Sequence, residues 1–187
     1  MSKSSFLNGK LLLAMPTMTD PRFEHSVIYV CSHDESGAMG IVLNQGFENL
    51  EFADLLDQLD IEVTDTVEDT TIHCGGPLEP GRGFVLHSAD YVQETTMVVS
   101  ETLALTATID VLKAIAEGHG PQHHLLALGY AGWGGGQLEA EITQNSWLTS
   151  DADEEIIFYT EMDLKWSRAM ARLGIDISML SSEAGHA

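Results

Sequence analysis

Short apolar runs, each closed by turn-forming residues, occupy the N-terminal third of the chain and constrain its fold more than any other feature. The runs cover residues 10–15, 26–32 and 38–44, and Pro16 and Ser36-Gly37 interrupt them. Runs of this length that are rich in Val, Ile and Leu and end at such residues are typical of β-strands. The sequence therefore predicts a sheet that begins close to the N-terminus.

Helical spacing of apolar residues begins only after these strands. Apolar side chains three and four positions apart form one face of a helix, and this spacing recurs in later segments. The last of these segments is predicted to bury Trp166, Met170 and Leu173 and to carry cationic residues toward its negative end. The predicted helices lie at 52–59 (Asn49 as cap), 105–116 (capped by Thr106 or Thr108, ended by Gly118), 138–142, and a final segment with Lys165, Arg168 and Arg172 that ends at Gly174.

Further strands alternate with these helices, and the alternation decides the predicted fold class. The run at 125–128 is apolar throughout, as in a strand covered on both faces. We therefore predict an α/β fold: a mixed β-sheet flanked by helices in a layered α/β/α-like arrangement, rather than a sandwich. Residues 1–187 are expected to form a single compact domain, with room for a small inserted sub-domain. The later predicted strands are 71–74, 83–87, 97–100, 125–128 and 156–159.

The charge balance excludes one large class of functions. Eight Lys and Arg residues stand against 29 Asp and Glu residues, which gives a formal net charge of −21. Nucleic-acid binding depends on clustered cations that displace counterions from phosphates, so we expect no direct nucleic-acid binding. An anionic membrane surface is disfavoured for the same reason. The acidic stretch from Asp60 to Asp69 is predicted to be an exposed connection.

Cysteine usage and the N-terminus indicate a cytoplasmic protein. Cys31 and Cys74 do not form a Cys-x-x-Cys pair, which fits reduced thiols. The apolar run at 11–15 is too short for a signal peptide or a membrane span. We therefore predict a cytoplasmic location and no membrane contact.

A glycine-rich segment at 129–137 follows the apolar run of the central strand. Glycines between a buried strand and a helix let backbone amides approach an anion at the positive end of the helix. Gly135-Gly136 replace the Lys and Ser/Thr of a P-loop, and Gln137 replaces the third glycine of a dinucleotide fingerprint. A tight turn that packs Trp133 is the alternative interpretation.

Two arginines in turns, Arg22 and Arg82, complete the candidate binding residues. A guanidinium group can hold a carboxylate or phosphate, although an internal ion pair is the alternative in so acidic a chain. A third candidate region is the Gly75-Gly76-Pro77 turn. The candidate ligand-binding residues are Arg82, Gly129, Tyr130, Trp133, Gly134, Gly135 and Gly136.

Cys31 and His33 form the candidate catalytic pair of the alternative hypothesis, an enzyme with thiol chemistry. Alternate residues of a strand point to one face, so the cysteine could act as nucleophile and the histidine as base. A buried, inert thiol is the competing interpretation. His73-Cys74 and His87 lack the paired spacing of a zinc site, and His123-His124 follow Pro121 in a turn and are expected to be solvated, so no metal and no cofactor are predicted.

Many short motifs in one order resemble a single known family. They include Asp20-Pro21-Arg22-Phe23, Gly37-Ala38-Met39-Gly40 and Gly75-Gly76-Pro77. Together they resemble the AlgH/YqgE proteins over nearly the whole chain. The remaining matching segments are 9–16, 26–33, 82–87, 110–112, 127–133, 136–139, 145–149 and 184–187.

The resemblance implies a mixed α/β fold in a bacterial family without an established reaction or cofactor, some members of which are labelled transcriptional regulators. The chain departs from the family at Gln45-Gly46, where relatives often carry Lys-Pro, and in lacking an arginine near Ile109. The regulator label conflicts with the charge of −21, because a direct DNA reader needs a basic face.

A non-catalytic regulatory module that binds a small ligand or a protein partner is therefore the leading functional hypothesis. No Gly-x-Ser-x-Gly elbow or His-Glu-x-x-His motif is present to support standard hydrolase chemistry. The alternatives are the Cys31/His33 enzyme and a transcriptional regulator that acts indirectly through a partner.

Overall fold

This computed structural model describes residues 6–62 and 71–175, which form a mixed α/β fold. The strands are β1 (Lys10–Ala14), β2 (Val27–Asp34), β3 (Gly37–Val42), β4 (Gly46–Glu51), β5 (Thr71–Cys74), β6 (Leu78–Ser88), β7 (Met97–Val98), β8 (Leu103–Thr106), β9 (His124–Gly134) and β10 (Trp147–Asp151). The helices are α1 (Phe52–Gln58), α2 (Ile109–Ala116), α3 (Gln137–Thr143) and α4 (Met162–Arg172), with a π-helical segment, the π-turn, at Glu155–Tyr159.

The sheet is mainly antiparallel, and β9 lies at its centre. Its main path runs β10-β1-β2-β3-β9-β6-β8-β7, while β5 pairs in parallel with β9 and carries β4 on its other side. The C-terminal half of β9 pairs with β3, and its N-terminal half pairs with β5 and β6. The predicted α/β class and mixed sheet are confirmed, whereas the layered α/β/α-like arrangement stays a prediction.

Apolar side chains form three core clusters, and different helices contribute to each. Helix α4 contributes Trp166 to the first cluster, which also contains Tyr29. Helix α3 contributes Leu138 to the second cluster. Helices α1 and α2 cover the third cluster, where Phe52 and Val111 are buried. Burial of these faces supplies the main driving force for folding.

A β-bulge interrupts the pairing of β2 with β3. Val30 lies opposite Gly40 and Ser32 lies opposite Met39, so Cys31 is the extra residue on β2. An extra residue reverses the alternation of side chains beyond it. On each face of the sheet, β2 therefore presents odd-numbered residues on one side of the bulge and even-numbered residues on the other.

The strand predicted at 156–159 is wrong, because this segment forms the π-turn. A short apolar run cannot be distinguished from a buried helical segment by periodicity alone. Ile156 and Ile157 are buried, and the hydroxyl of Thr160 donates to the carbonyl oxygen of Glu155 at 2.9 Å where the turn ends.

The predicted start of the second helix at Leu105 is also wrong, whereas Thr108, one of its two predicted caps, is confirmed. Leu105 lies in strand β8 opposite Leu86, and helix α2 begins only at Ile109, with Thr108 as its N-cap residue. The side chain of Leu105 fits a strand and a helix equally well, so its apolar character did not decide the boundary. The predicted end is confirmed, because Gly118 follows the helix with a φ of +81°.

Other boundaries also differ from the sequence prediction. The sequence did not indicate β4 or β10, and β6 begins at Leu78 rather than at residue 83. Glu51, not Asn49, caps α1, and its backbone N–H lies 3.3 Å from a carboxylate oxygen of Asp54. Most of the predicted acidic connection, residues 63–69, lies outside the described residues. No helix in the described ranges is long and apolar enough to cross a membrane.

Candidate functional site

The predicted ligand-binding residues do not lie together. Tyr130 packs against the first core cluster, whereas Trp133 is buried in the second cluster. Because these clusters lie on opposite faces of the sheet, the two aromatic side chains cannot line one site. Arg82 is exposed on the side of Tyr130 and shares a groove with it.

The glycine-rich segment is mostly strand rather than loop, which corrects the prediction. Strand β9 continues through Gly129 to Gly134, and only Gly135 and Gly136 form a turn before α3. The backbone N–H of Gly134 donates to the side-chain oxygen of Gln137 at 2.9 Å. Gly136 has a φ of +77°, so the turn uses the left-handed conformation that glycine adopts readily.

Close backbone contact explains the Gly75-Gly76 pair beside β9. A Cβ atom on Gly76 would lie 2.1 Å from the carbonyl carbon of Tyr130, and a Cβ on Gly75 would lie 2.3 Å from the carbonyl oxygen of Gly129. Any larger residue would force the two backbones apart. These glycines therefore allow the backbone that follows β5 to pack closely against β9.

Both candidate arginines form internal ion pairs, as the alternative interpretation expected. The Arg22 guanidinium contacts both carboxylate oxygens of Asp20, at 3.1 and 2.8 Å. Arg82 lies 3.5 Å from Glu79 and its guanidinium carbon lies 5.0 Å from the ring centroid of Phe84. A hydrogen bond to Glu79 raises the pKa of Tyr130. Arg82 and Tyr130 border a groove of about 380 Å³, which we call the Arg82 groove.

Cys31 and His33 point to opposite faces of the sheet, so the expected shared face is wrong. The Cys31 side chain is 2% exposed within the first core cluster, and burial raises its pKa to about 12. His33 lies beyond the bulge, where one ring nitrogen accepts the backbone N–H of Leu7 at 3.0 Å and the other contacts Glu139. The bulge at Cys31 is the physical reason for the separation.

The remaining candidate metal ligands are held by other contacts. The two ring nitrogens of His87 lie 2.7 Å from the hydroxyl of Thr106 and 2.8 Å from the carbonyl oxygen of Ser88. Burial lowers the pKa of His87. Over residues 6–62 and 71–175, no group of three or more His, Cys, Asp or Glu side chains is placed to hold a metal ion.

Among the described residues, a polar cavity of about 530 Å³ is lined by six ionisable side chains: His73, His123, His124, Tyr159, Glu161 and Lys165. It lies between β5, the start of β9, the π-turn and the start of α4, and we call it the Lys165 cavity. Its lining residues are Thr71, His73, Gln122, His123, His124, Leu125, Ile157, Phe158, Tyr159, Thr160, Glu161, Met162 and Lys165.

Lys165 is the most deeply buried ionisable residue of the described lining, and we call the part of the cavity beside it the closed end. Its side-chain nitrogen donates to the carbonyl oxygens of Leu43 at 3.0 Å and Ile157 at 2.8 Å, and the residue is 2% exposed. Burial lowers its pKa from 10.5 to about 8. The expectation that Lys165 belongs to a cationic helix end is therefore wrong, because its side chain lies on the buried face of α4.

Histidines form the walls of the Lys165 cavity. His73 is 7% exposed, and its Nδ1 atom lies 3.2 Å from the carbonyl oxygen of Leu126. Burial, and then the charge of Lys165, lower the pKa of His73 to about 4, so it is neutral at pH 7. Tyr159, a residue that is 62% exposed, lies at the mouth of the cavity. Its hydroxyl group hydrogen-bonds to the ring of His123. His123, expected to be solvated, thus belongs to a wall.

The sequence contains a signal for this site that the prediction missed. Met162, Lys165, Trp166, Ala169 and Met170 are spaced by three and four residues, which places the lysine on the apolar face of α4. A cation on that face must find acceptors inside the protein.

Comparisons with known proteins give one consistent match. The AlgH-like family model (DUF179) matches residues 11–178. A UPF0301 protein of Rhodospirillum rubrum is 53% identical over 182 residues, covering 97% of this chain and 95% of the relative. A UPF0301 protein of Nitrobacter hamburgensis is 52% identical, with 98% and 88% of the two chains covered.

Two solved structures are similar over nearly their full lengths. The solution structure of the AlgH protein from Pseudomonas aeruginosa shows 43% identity and a TM-score of 0.80, covering 100% of this chain and 99% of that one. The crystal structure of protein DIP2367 from Corynebacterium diphtheriae shows 22% identity and a TM-score of 0.74, covering 97% and 94%. The second likeness concerns the fold alone.

Proposed function

This chain belongs to the AlgH-like family, and from that premise we propose that it is a non-catalytic binding module whose small-molecule ligand occupies the Lys165 cavity. The observation that supports the proposal is the burial of a lysine at the closed end of an open, partly polar cavity. Ligand sites usually combine an apolar lining with a few fixed polar groups.

The size and chemistry of the Lys165 cavity favour recognition. Its volume of about 530 Å³ lies in the usual range for small-molecule sites. Hydrogen bonds to backbone carbonyls hold both His73 and Lys165 in fixed positions. Fixed polar groups reduce the ordering cost of binding. Among the described residues that line the cavity there is neither serine nor cysteine, the nucleophiles of the usual acyl-transfer sites.

A ligand screen by thermal shift, followed by calorimetry, tests the proposal. We expect at least one small metabolite to raise the melting temperature, because a ligand that binds only the folded state stabilises it. Gln122 is an exposed residue of the cavity lining, so Gln122→Trp should block the mouth and abolish the shift. Gln93→Trp, at an exposed position away from the cavity, is the matched control. No stabilising compound, or equal stabilisation of the Gln122→Trp variant, would overturn the proposal.

The protein-partner form of the hypothesis is a second candidate, favoured by the Arg82 groove. Arg82, Tyr130 and Met97 line it, and Arg, Tyr and Met are enriched at protein interfaces. A transcriptional role exerted through such a partner remains a proposal of the same kind. Pull-downs with Arg82→Ala, compared with the exposed Lys113→Ala, test it: a specific partner must be lost only with Arg82→Ala.

The thiol-enzyme alternative has little support from the geometry, since Cys31 and His33 face different core clusters. We propose a cytoplasmic location, supported by the free thiols Cys31 and Cys74. We also propose one layered domain over residues 1–187, supported by the family match to 11–178 and by the placement of α3 and α4 in different core clusters.

A further inference from the structure

We propose that the Lys165 cavity recognises a small molecule through an oxyanion, a carboxylate or phosphate group, with Lys165 as the counter-charge. This inference rests on the proposed function, because it assumes that the cavity is the ligand site. It goes further in naming the chemical group that the ligand must carry and the residue that recognises it.

The hydrogen bonds of Lys165 leave its charge uncompensated. Both acceptors, the carbonyl oxygens of Leu43 and Ile157, are neutral groups. None of the ion pairs formed by the described residues includes Lys165. A buried ion without an opposite charge is costly to the folded protein. An oxyanion at the closed end of the cavity would supply that charge.

The donor count of the ammonium group points the same way. A protonated lysine has three N–H donors, and two of them are used by Leu43 and Ile157. The third donor is available for an oxygen of the ligand. Hydrogen bonds between ionised groups are about twice as strong as those between neutral groups. A charged acceptor is therefore the partner that this donor favours.

The walls of the Lys165 cavity limit the ligand further. Glu161 is the single carboxylate in the described lining and is exposed, so it repels an anion at the mouth and favours one placed deep beside Lys165. Leu125, Phe158 and Met162 offer apolar contacts to the rest of the ligand. The net charge of −21 opposes ligands that carry several negative charges. A small molecule with one oxyanion and a neutral or apolar body fits these constraints.

The test uses defined anions and the full-length protein. Uniformly ¹⁵N-labelled protein is titrated with sodium acetate, sodium benzoate and sodium phosphate, and sodium chloride keeps the ionic strength constant. We expect saturable shifts for backbone amides near the cavity, in 71–73 and 157–165, with at least one of the three anions. Acetate and benzoate report on carboxylates, and phosphate reports on phosphate groups.

Variants of Lys165 then assign the recognition to the charge. Lys165→Gln keeps an N–H donor for the carbonyls but removes the charge, and Lys165→Met removes both. We expect each to weaken anion binding about tenfold or more, the effect of losing a hydrogen bond between charged groups. Lys113→Met, which removes an exposed lysine on α2, should bind as the unmodified protein does.

Each outcome separates this inference from the proposed function. Absence of saturable shifts with all three anions would overturn the inference, and so would unchanged affinity in a folded Lys165→Gln variant. If neutral or cationic compounds still protect the protein in the thermal-shift screen, and Gln122→Trp removes that protection, the binding function stands without the anion. If no compound protects, the binding function fails as well.

Discussion

The side-chain nitrogen of Lys165 donates a hydrogen bond to the carbonyl oxygen of Ile157 over 2.8 Å, which joins α4 to the π-turn. The same nitrogen reaches the carbonyl oxygen of Leu43, in the residue that follows β3. One side chain thus connects the sheet, the π-turn and α4 at the closed end of the cavity. Both the shape of the site and its charge depend on this residue.

Replacing Lys165 should change how stability depends on pH. Its folded-state pKa is about 8, below the ordinary 10.5, so the unfolded chain binds the proton more tightly between these values. Stability of the unmodified protein should therefore rise by about 3 kcal/mol relative to Lys165→Met as the pH increases through this interval. Urea unfolding followed by circular dichroism, at pH values from 7 to 10.5, measures the difference.

Lys113→Met is the control for this experiment, because Lys113 is exposed on α2. Its stability should follow that of the unmodified protein at every pH. Cys31 and Tyr29, whose raised pKa values of about 12 also affect alkaline stability, are present in all three proteins and cancel in the comparison. A difference between the unmodified protein and Lys165→Met that does not change with pH would contradict the burial of a charged lysine.

His73 should make the protein sensitive to mild acid. Its folded-state pKa is about 4 against an ordinary 6.5, so stability is retained above pH 6.5 and is lost as the pH falls toward 4. Over that range the unmodified protein should lose about 3 kcal/mol more than His73→Asn, which removes the titrating ring and keeps an N–H donor. Equilibrium unfolding at pH 7, 6, 5 and 4 checks this, with the exposed His119→Asn as control.

The contact between Gly76 and β9 should not tolerate a side chain. In Gly76→Ala the new methyl group meets the backbone of Tyr130 at 2.1 Å, at a φ of +152°. We expect a loss of about 3 kcal/mol or more, because neither backbone can move without breaking the sheet. Gly81→Ala is the matched control, since no atom lies within 4 Å of its Cβ position, and its stability should change by less than about 0.5 kcal/mol.

The Cys31 thiol should be unreactive in the folded protein. Burial keeps it protonated, and only the thiolate reacts quickly with iodoacetamide. Mass spectrometry of the native protein at pH 8 should find Cys74, which is partly exposed, alkylated before Cys31. Cys31 should react only after denaturation. Rapid alkylation of native Cys31 would restore the thiol-enzyme hypothesis.

Residues with strong local signals were predicted well from the sequence. The β-branched runs of β2 and β3 lie between clear breakers, and Gly118 and Gly174 mark the ends of α2 and α4 with φ values of +81° and +75°. These signals depend on the preferences of neighbouring residues, so no knowledge of the tertiary fold is needed.

Features that depend on distant partners were missed. Strand β10 exists because residues from Trp147 onward pair with Ala14 and the rest of β1, more than 100 residues earlier in the chain. Gly129 was assigned to a loop because the sequence cannot show that Gly75 and Gly76 lie against β9. The burial of Lys165 likewise requires the carbonyl of Leu43, which belongs to a different part of the sheet.

The bulge at Cys31 also determines how the segment that leads into β1 is held against the sheet. Because one residue is inserted into β2, His33 faces α3 and accepts the backbone N–H of Leu7 there. If β2 alternated regularly from Tyr29 to His33 with no bulge, the imidazole would lie on the same face of the sheet as Tyr29 and Cys31. The segment that leads into β1 would then lose its anchor, although no residue of that segment had been altered.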